Sequence, residues 1–312
     1  MWYDNLKYNK HPDAFMTFFD RIQQEFPALQ LLLSEPMANH TSFHIGGPAA
    51  IAFPAAEEEL VNLYRFCLKN QVKPLILGAG TNILAPDSGL DRLVISTRSM
   101  TGLTDCGDGI IKAQCGVLLA KLACFARDLG LSGLEFAHGI PGSVGGGIYM
   151  NAGAYGGELC QVTISTTALL PDGTIWEAEA EQQGFVYRNS AFQKKGAVVL
   201  HSRFRLQPGD REEITARMQE LAVKRRTSQP LDMPSAGSTF KRPVGGYAAA
   251  LIDGAGLKGK GVGKAAVSEK HAGFVVNLGG ATAADVLATM EMVQEKVYED
   301  SGIRLEPEVR IW

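Results

Sequence analysis

The chain has 312 residues, 46% hydrophobic and 20% charged, with a net charge of −3. That balance excludes a disordered chain and leaves no overall electrostatic footprint for nucleic acid or a membrane surface. No run of about 18 apolar residues is present to span a bilayer. Five cysteines without a C-x-x-C pair argue against a disulfide framework or a structural zinc site. At roughly 100–200 residues per domain, the length predicts two or three domains. The opening MWYDNLKYNKHPDAF is too polar for a secretory signal, so a cytoplasmic protein is expected.

In chain order, residues 13–34 carry Phe15, Phe18, Phe19, Ile22, Phe26 and Leu29 at helical spacing and predict one or two amphipathic helices. Residues 50–54 predict a strand. Residues 57–70 predict a helix with Leu60, Leu63, Tyr64 and Cys67 on one face. A buried strand over 74–77 runs into the turn Gly78-Ala79-Gly80-Thr81-Asn82. Strands follow over 93–96 and 110–113, then a helix over 117–129. Asp172-Gly173 between two alternating runs predicts a hairpin over 162–179. Residues 197–206 alternate as a half-buried strand does. A boundary at Gln207-Pro208-Gly209-Asp210 precedes a charged helix from Arg211 to about Arg226. Thr282 and Asp285 then cap a helix striped by Val286, Met290, Val293 and Val297. A last strand is expected over 305–312. The pattern is α+β, in two lobes.

Glycine is the compositional anomaly: 35 residues, about 11% against a usual level near 7%. Eight fall between Gly139 and Gly157, and eight more between Gly237 and Gly263. The turn at 78–82 follows a strand and could cradle a phosphate, but Ile83 stands where the dinucleotide fingerprint needs glycine. The stretch HGIPGSVGGGIYMNAGAYGGE (138–158) is too rich in glycine for an ordinary helix or strand. Its Pro141-Gly142-Ser143-Val144-Gly145 lacks the first glycine of a nucleophile elbow. A backbone that hugs a flat ring or a pyrophosphate, with hydrogen bonds from Ser143 and Asn151, is the better reading. Gly254–Gly261 nearly spells a Walker A motif, yet Gly261 replaces the magnesium-binding hydroxyl residue and no buried strand precedes it. Nine basic against three acidic residues between Lys224 and Lys270 suit an anionic ligand such as a diphosphate. The six histidines show neither metal-ligand spacing nor a triad order, so no metal is expected.

Six segments together resemble the UDP-N-acetylenolpyruvoylglucosamine reductase family, in order from about Thr41 to Trp312. They are GAGTNIL (78–84), GIPGSVGGGIYMNAGAYGGE (139–158), YRNS (187–190), QPLDMPSAGSTFKRP (229–243), AGLKGKGVGKAAVSEKHAGFVVN (255–277) and LEPEVRIW (305–312). The short path from YRNS to the second lobe looks like the family's type II branch. Two departures are visible: His44 stands where Arg or Lys is expected, and Tyr247–Ala250 carries alanine where the family often has glycine.

The resemblance implies a two-part FAD-binding domain of the vanillyl-alcohol-oxidase type over 41–208, with subdomains of about 41–100 and 101–208. A helical extension over 1–40 would precede it. A smaller α+β substrate domain would span 209–303, and a strand over 304–312 would return to the active site. Implied cofactor-binding residues are Gly78, Ala79, Gly80, Thr81 and Asn82 in the turn. Gly142, Ser143, Val144, Gly145, Gly146, Asn151 and Ala152 are the others. The implied reaction is NADPH-dependent reduction of UDP-N-acetylglucosamine enolpyruvate, with no nucleic-acid or membrane partner.

Hydride addition to the β-carbon of that enol ether builds charge on the α-carbon and its carboxylate. A fixed cation, a second donor and an acid are then needed. By resemblance Arg188 and Glu308 are the stabilising pair, and Ser238 is the proton donor. Glu308 serves best protonated, which requires a raised pKa. Tyr187, Arg226, Arg242, Lys264 and Lys270 are candidates for the substrate, the basic four on charge. Two rivals remain: another flavin oxidase of the same fold, and a flavin- or sugar-nucleotide-binding module without turnover.

Overall fold

The computed structural model describes residues 16–312. Phe15 and the start of the first predicted helix lie outside that range. Helix α1 (Phe18–Glu25) is closed by a capping box between Thr17 and Asp20 and buries Phe18, Phe19 and Ile22. The expectation of helix continuing to residue 34 is corrected here, because Gln30–Pro36 is a strand. Its main chain pairs antiparallel with Pro48–Phe53, Leu32 facing Ile51. That ladder outweighs the helical spacing of a short leucine run.

Two sheets divide the first two thirds of the chain. The first is ordered 30–36, 48–53, 94–96, 75–77, with its last three strands parallel. The second is antiparallel, ordered 175–179, 163–169, 198–205, 110–114, 103–105. Helix α2 (Glu57–Lys69) buries Leu60, Leu63, Tyr64 and Cys67, the stripe its periodicity predicts. Helix α3 (Leu119–Asp128) follows the second sheet's 110–114 strand. Buried side chains from both sheets, α1, α2 and α3 form one continuous core.

The glycine-rich stretch holds a second correction. Val144–Met150 is helix α4, N-capped by Ser143. Its three glycines cost roughly 3 kcal/mol of helix propensity relative to alanine, and close packing offsets that. A Cβ on Gly147 would stand 2.8 Å from Leu159 Cδ1 and 3.2 Å from Leu119 Cδ1, so only glycine seats the helix this deeply. The short helix α5 (Ala191–Lys195) is N-capped by Ser190.

Helix α6 (Arg211–Ser228) leads into the second lobe. Helix α7 (Ala248–Gly254) opens on the alanines of the Tyr247–Ala250 departure, good helix formers. A three-stranded sheet (261–262, 265–267, 275–277) and helix α8 (Ala283–Ser301) complete this lobe's core. Phe43, Ile45 and Leu84 enter that core from the first lobe. Asp87 adds a tie, its carboxylate accepting the Ala283 and Ala284 N–H groups at the start of α8. Of the expected strand over 305–312, only Arg310–Ile311 is regular. It pairs parallel with Ile83–Leu84, and an isolated bridge joins Pro307 to Phe240. The chain end therefore lies between the first glycine turn and the second lobe.

Candidate active site

A cavity of about 830 Å³ lies where these parts meet, toward the upper end of the roughly 300–1,000 Å³ usual for small-molecule sites. The turn at 78–82 forms one wall. Gly80 takes φ +69°, and a side chain there would collide with the His40 carbonyl. Among the described residues, the backbone N–H groups of Ala79, Gly80, Thr81 and Asn82 have no acceptor. The Thr81 hydroxyl donates to Pro141 O at 2.9 Å, tying this turn to the second glycine stretch. Asn82 ties it to the chain end: its Nδ2 donates to Glu308 O at 3.2 Å, and its carbonyl accepts from Arg310 N–H at 3.0 Å.

Arg188, Ser238 and Glu308 share this cavity. Val186 and Asn189 exchange backbone hydrogen bonds of 3.0 and 3.1 Å, closing a two-residue turn of Tyr187 and Arg188. Arg188 occupies the left-handed region at φ +52°, a strained position for a non-glycine residue. Its Nε donates to Glu308 Oε1 at 2.8 Å and its Nη2 to Gly153 O at 3.2 Å. The two side chains are 22% and 15% exposed. Their contact has ion-pair geometry, yet burial pushes the Glu308 carboxyl above its ordinary range and outweighs the opposing pull of Arg188 and Lys241. Burial decides, because the pair is largely shut off from water. Ser238 stands in an irregular segment two residues before Phe240, which is bridged to Pro307, and its hydroxyl has no hydrogen bond among the described residues.

Of the residues expected to hold a cofactor, the five of the turn line the cavity, as do Gly142, Ser143, Gly145, Gly146 and Ala152. Val144 and Asn151 do not. Val144 is fully buried in the core, and the Asn151 amide is spent on Glu158, Val186 and Cys160. The charge-based candidates also lie off the cavity wall. Lys270 Nζ caps α6 through Arg226 O at 2.6 Å. Lys264 donates its N–H to Asp285. Arg242 lies 3.8 Å over the Tyr247 ring, and its N–H donates to the Tyr187 hydroxyl.

Within the basic stretch it is Arg225, one residue from the expected Arg226, that lines the cavity; Lys73, Arg92, Arg188 and Arg310 add positive charge elsewhere on its wall. The Arg225 Nε donates to Gln229 at 2.8 Å, while its buried Nη1 has no partner among the described residues. Helical register carried the signal: Ile214, Met218 and Leu221 are the buried face of α6, and Arg225 continues that stripe. His271 also lines the cavity, its Nδ1 accepting the Gly273 N–H.

The free N–H groups at 79–82 and the orphaned Arg225 nitrogen suit a ligand carrying phosphates. Residues 48–179 match a family described as FAD binding domain, and residues 229–312 match UDP-N-acetylenolpyruvoylglucosamine reductase, C-terminal domain. A UDP-N-acetylenolpyruvoylglucosamine reductase of Agathobacter rectalis is 44% identical over 309 residues, spanning 95% of this chain and 98% of the relative. One of Clostridium novyi is 46% identical over 276 residues, 88% and 90%.

The chain belongs to the UDP-N-acetylenolpyruvoylglucosamine reductase family.

A crystal structure of the family's reductase from Thermus caldophilus superposes with a TM-score of 0.79 at 35% identity. It covers 91% of this chain and 99% of that one. The family relation therefore extends over both lobes and the cavity between them.

Proposed function

We propose that this chain is an FAD-dependent oxidoreductase that reduces UDP-N-acetylglucosamine enolpyruvate to UDP-N-acetylmuramate with NADPH, in peptidoglycan precursor synthesis. The observation that carries the reading is the Arg188–Glu308 pair, 2.8 Å apart on the wall of a cavity that also holds Ser238 and the free N–H groups of 79–82. When bound, FAD would supply the two-electron carrier between NADPH and the enol ether, and residues 78–82 with Gly142, Ser143, Gly145 and Gly146 would hold it. NADPH and the sugar nucleotide take turns in the remaining space. The reading places the reaction in the cytoplasm.

The substrate double bond gains a hydride at the β-carbon and a proton at the α-carbon. Arg188 holds the substrate carboxylate as the hydride arrives, its guanidinium already anchored by Glu308 and Gly153. Protonated Glu308 donates toward the charge that spreads into the carboxylate. Ser238 delivers the proton to the α-carbon. Its hydroxyl is a weak acid, adequate only against a strongly basic carbanionic centre.

Anaerobic titration tests the proposal. A yellow purified protein bleached by NADPH and recoloured by UDP-N-acetylglucosamine enolpyruvate supports it. Recolouring by an alcohol-derived carbonyl, or no bleaching at all, sinks it in favour of the two rivals.

The raised Glu308 pKa gives this reading a pH signature. Glu308 stays protonated above the ordinary carboxyl range, and its donor role is lost as pH rises through the raised value. The substrate half-reaction is therefore expected to slow with rising pH, and Glu308→Gln, a permanent donor, to flatten that limb. An unchanged limb in Glu308→Gln would assign it to another group. The linkage has the same sign: the native state binds this proton more tightly than the unfolded chain. Its stabilising effect is full below the ordinary carboxyl pKa and fades as pH rises.

A further inference from the structure

The Arg188 turn lies outside any sheet and runs straight into the five-residue helix α5. Besides the Arg188–Glu308 contact and the Arg242 N–H to the Tyr187 hydroxyl, three hydrogen bonds hold it, and these three run to residues 149–153. Asn151 Nδ2 donates to Val186 O at 3.3 Å, at the turn's first residue. Ser190 Oγ donates to Tyr149 O at 2.8 Å, just past its last. Arg188 Nη2 itself donates to Gly153 O at 3.2 Å. Asn151 and Ser190 are 1% and 0% exposed. Neither lines the cavity. The segment they grip is the C-terminal end of α4, whose N-terminal end carries the Gly142–Ser143 wall.

We propose that Asn151 is a positioning residue for Arg188: its amide fastens the Val186–Asn189 turn to the end of α4, so that one rigid frame sets both the glycine wall of the cavity and the guanidinium that faces it. The chemistry of the side chain fits this role. Asn151 closes α4 at φ +44°, a left-handed position that asparagine tolerates and glycine would fill equally well. A cap alone needs no amide. The Asn151 amide is nevertheless fully engaged, with Nδ2 also donating to Glu158 Oε2 at 3.0 Å and Oδ1 accepting Cys160 N–H at 3.0 Å. Aspartate would keep the acceptor and lose both donations. The turn it steadies holds a strained arginine, so releasing the tie lets Arg188 relax out of register with Glu308.

The inference rests on Arg188 acting as the carboxylate clamp, and the experiment separates the two. Asn151→Gly in the flavin-loaded protein keeps the left-handed backbone and removes only the amide. Flavin content and reduction by NADPH are expected to stay within about twofold, while substrate-driven reoxidation slows on the order of 10–100-fold, the effect of misplacing a positioning group by about 1 Å. Hydrogen exchange at 186–190 rises while that of the 198–205 strand holds. In an Arg188→Ala background, Asn151→Gly adds no further slowing, because both changes remove the same placement. Unchanged reoxidation, an equal loss in both half-reactions, or a full additional loss on top of Arg188→Ala overturns the proposal. Should Asn151→Gly fail to retain flavin, Ser190→Ala removes the tie to Tyr149 O, along with the cap of α5. The same split between half-reactions supports the frame, and normal reoxidation overturns it. If Arg188→Ala itself reoxidises at the wild-type rate, the clamp reading falls, whatever the exchange data show.

Discussion

Ser238→Ala is expected to leave reduction of the bound flavin by NADPH at its wild-type rate and to slow reoxidation by the enolpyruvyl substrate by roughly 10²–10⁴-fold, the span of general acid catalysis. Stopped-flow absorbance of the two half-reactions measures it. The split follows from where the serine stands. Its neighbours are pinned independently of its hydroxyl: Thr239 N–H donates to Gly273 O at 2.8 Å, Thr239 Oγ1 accepts Val275 N–H at 2.9 Å, and Phe240 is buried. Ser238 itself is exposed to the cavity. Removing one exposed oxygen leaves that frame intact, with a stability change within about 0.5 kcal/mol. A loss confined to reoxidation therefore reports on the missing proton. If both half-reactions survive, Ser238 is not the proton donor; if both fail together, the residue is structural.

Arg188→Ala is the second large effect, expected to slow reoxidation on the order of 10²–10³-fold, as loss of one preorganised charge-stabilising donor does. Arg188→Lys should recover little. A lysine ammonium is a point charge, whereas the guanidinium bonds Glu308 through Nε and Gly153 through Nη2 and still has donors left for the substrate carboxylate. The alanine variant also removes a group that pulls the Glu308 carboxyl downward, so the Glu308 pKa moves further up. A pH profile of the residual reoxidation tests that coupling. Its Glu308-dependent limb should shift to higher pH, and a limb that stays in place would show that Glu308 is not the group titrating.

Where local pattern and final packing agree, the fold was legible in residue order. The stripe Leu60, Leu63, Tyr64 and Cys67 predicted α2, and Thr282 with Asp285 predicted the start of α8. The hairpin about Asp172-Gly173 joins strands 163–169 and 175–179. Legibility ended where a partner distant in sequence chose the conformation. Residues 30–36 read as helix and pair as strand with 48–53. Residues 144–150 read as irregular and form α4, because Leu119 and Leu159 leave room for a helix only if it carries glycine.

The site divides along the same line. Motif resemblance named Arg188, Ser238 and Glu308, which are 120 residues apart at the extremes and line one cavity. Charge counting named Arg226, Arg242, Lys264 and Lys270, which lie off it, and passed over Arg225, whose place on the buried face of α6 sets it apart from its neighbour. Composition marked Asn151 as part of a binding loop, but its amide turns away from the cavity and holds the arginine's turn.

The sequence by itself determined which residue types were available and where backbone could lie bare: the glycine turns, the helix caps, the arginine of the YRNS segment and the acid near the chain end. Tertiary structure decided which of these face one another. A side chain's direction depends on helical phase and strand register, so one position separates Arg225 from Arg226. The raised Glu308 pKa is likewise a property of burial in the assembled cavity, which no local stretch of sequence contains.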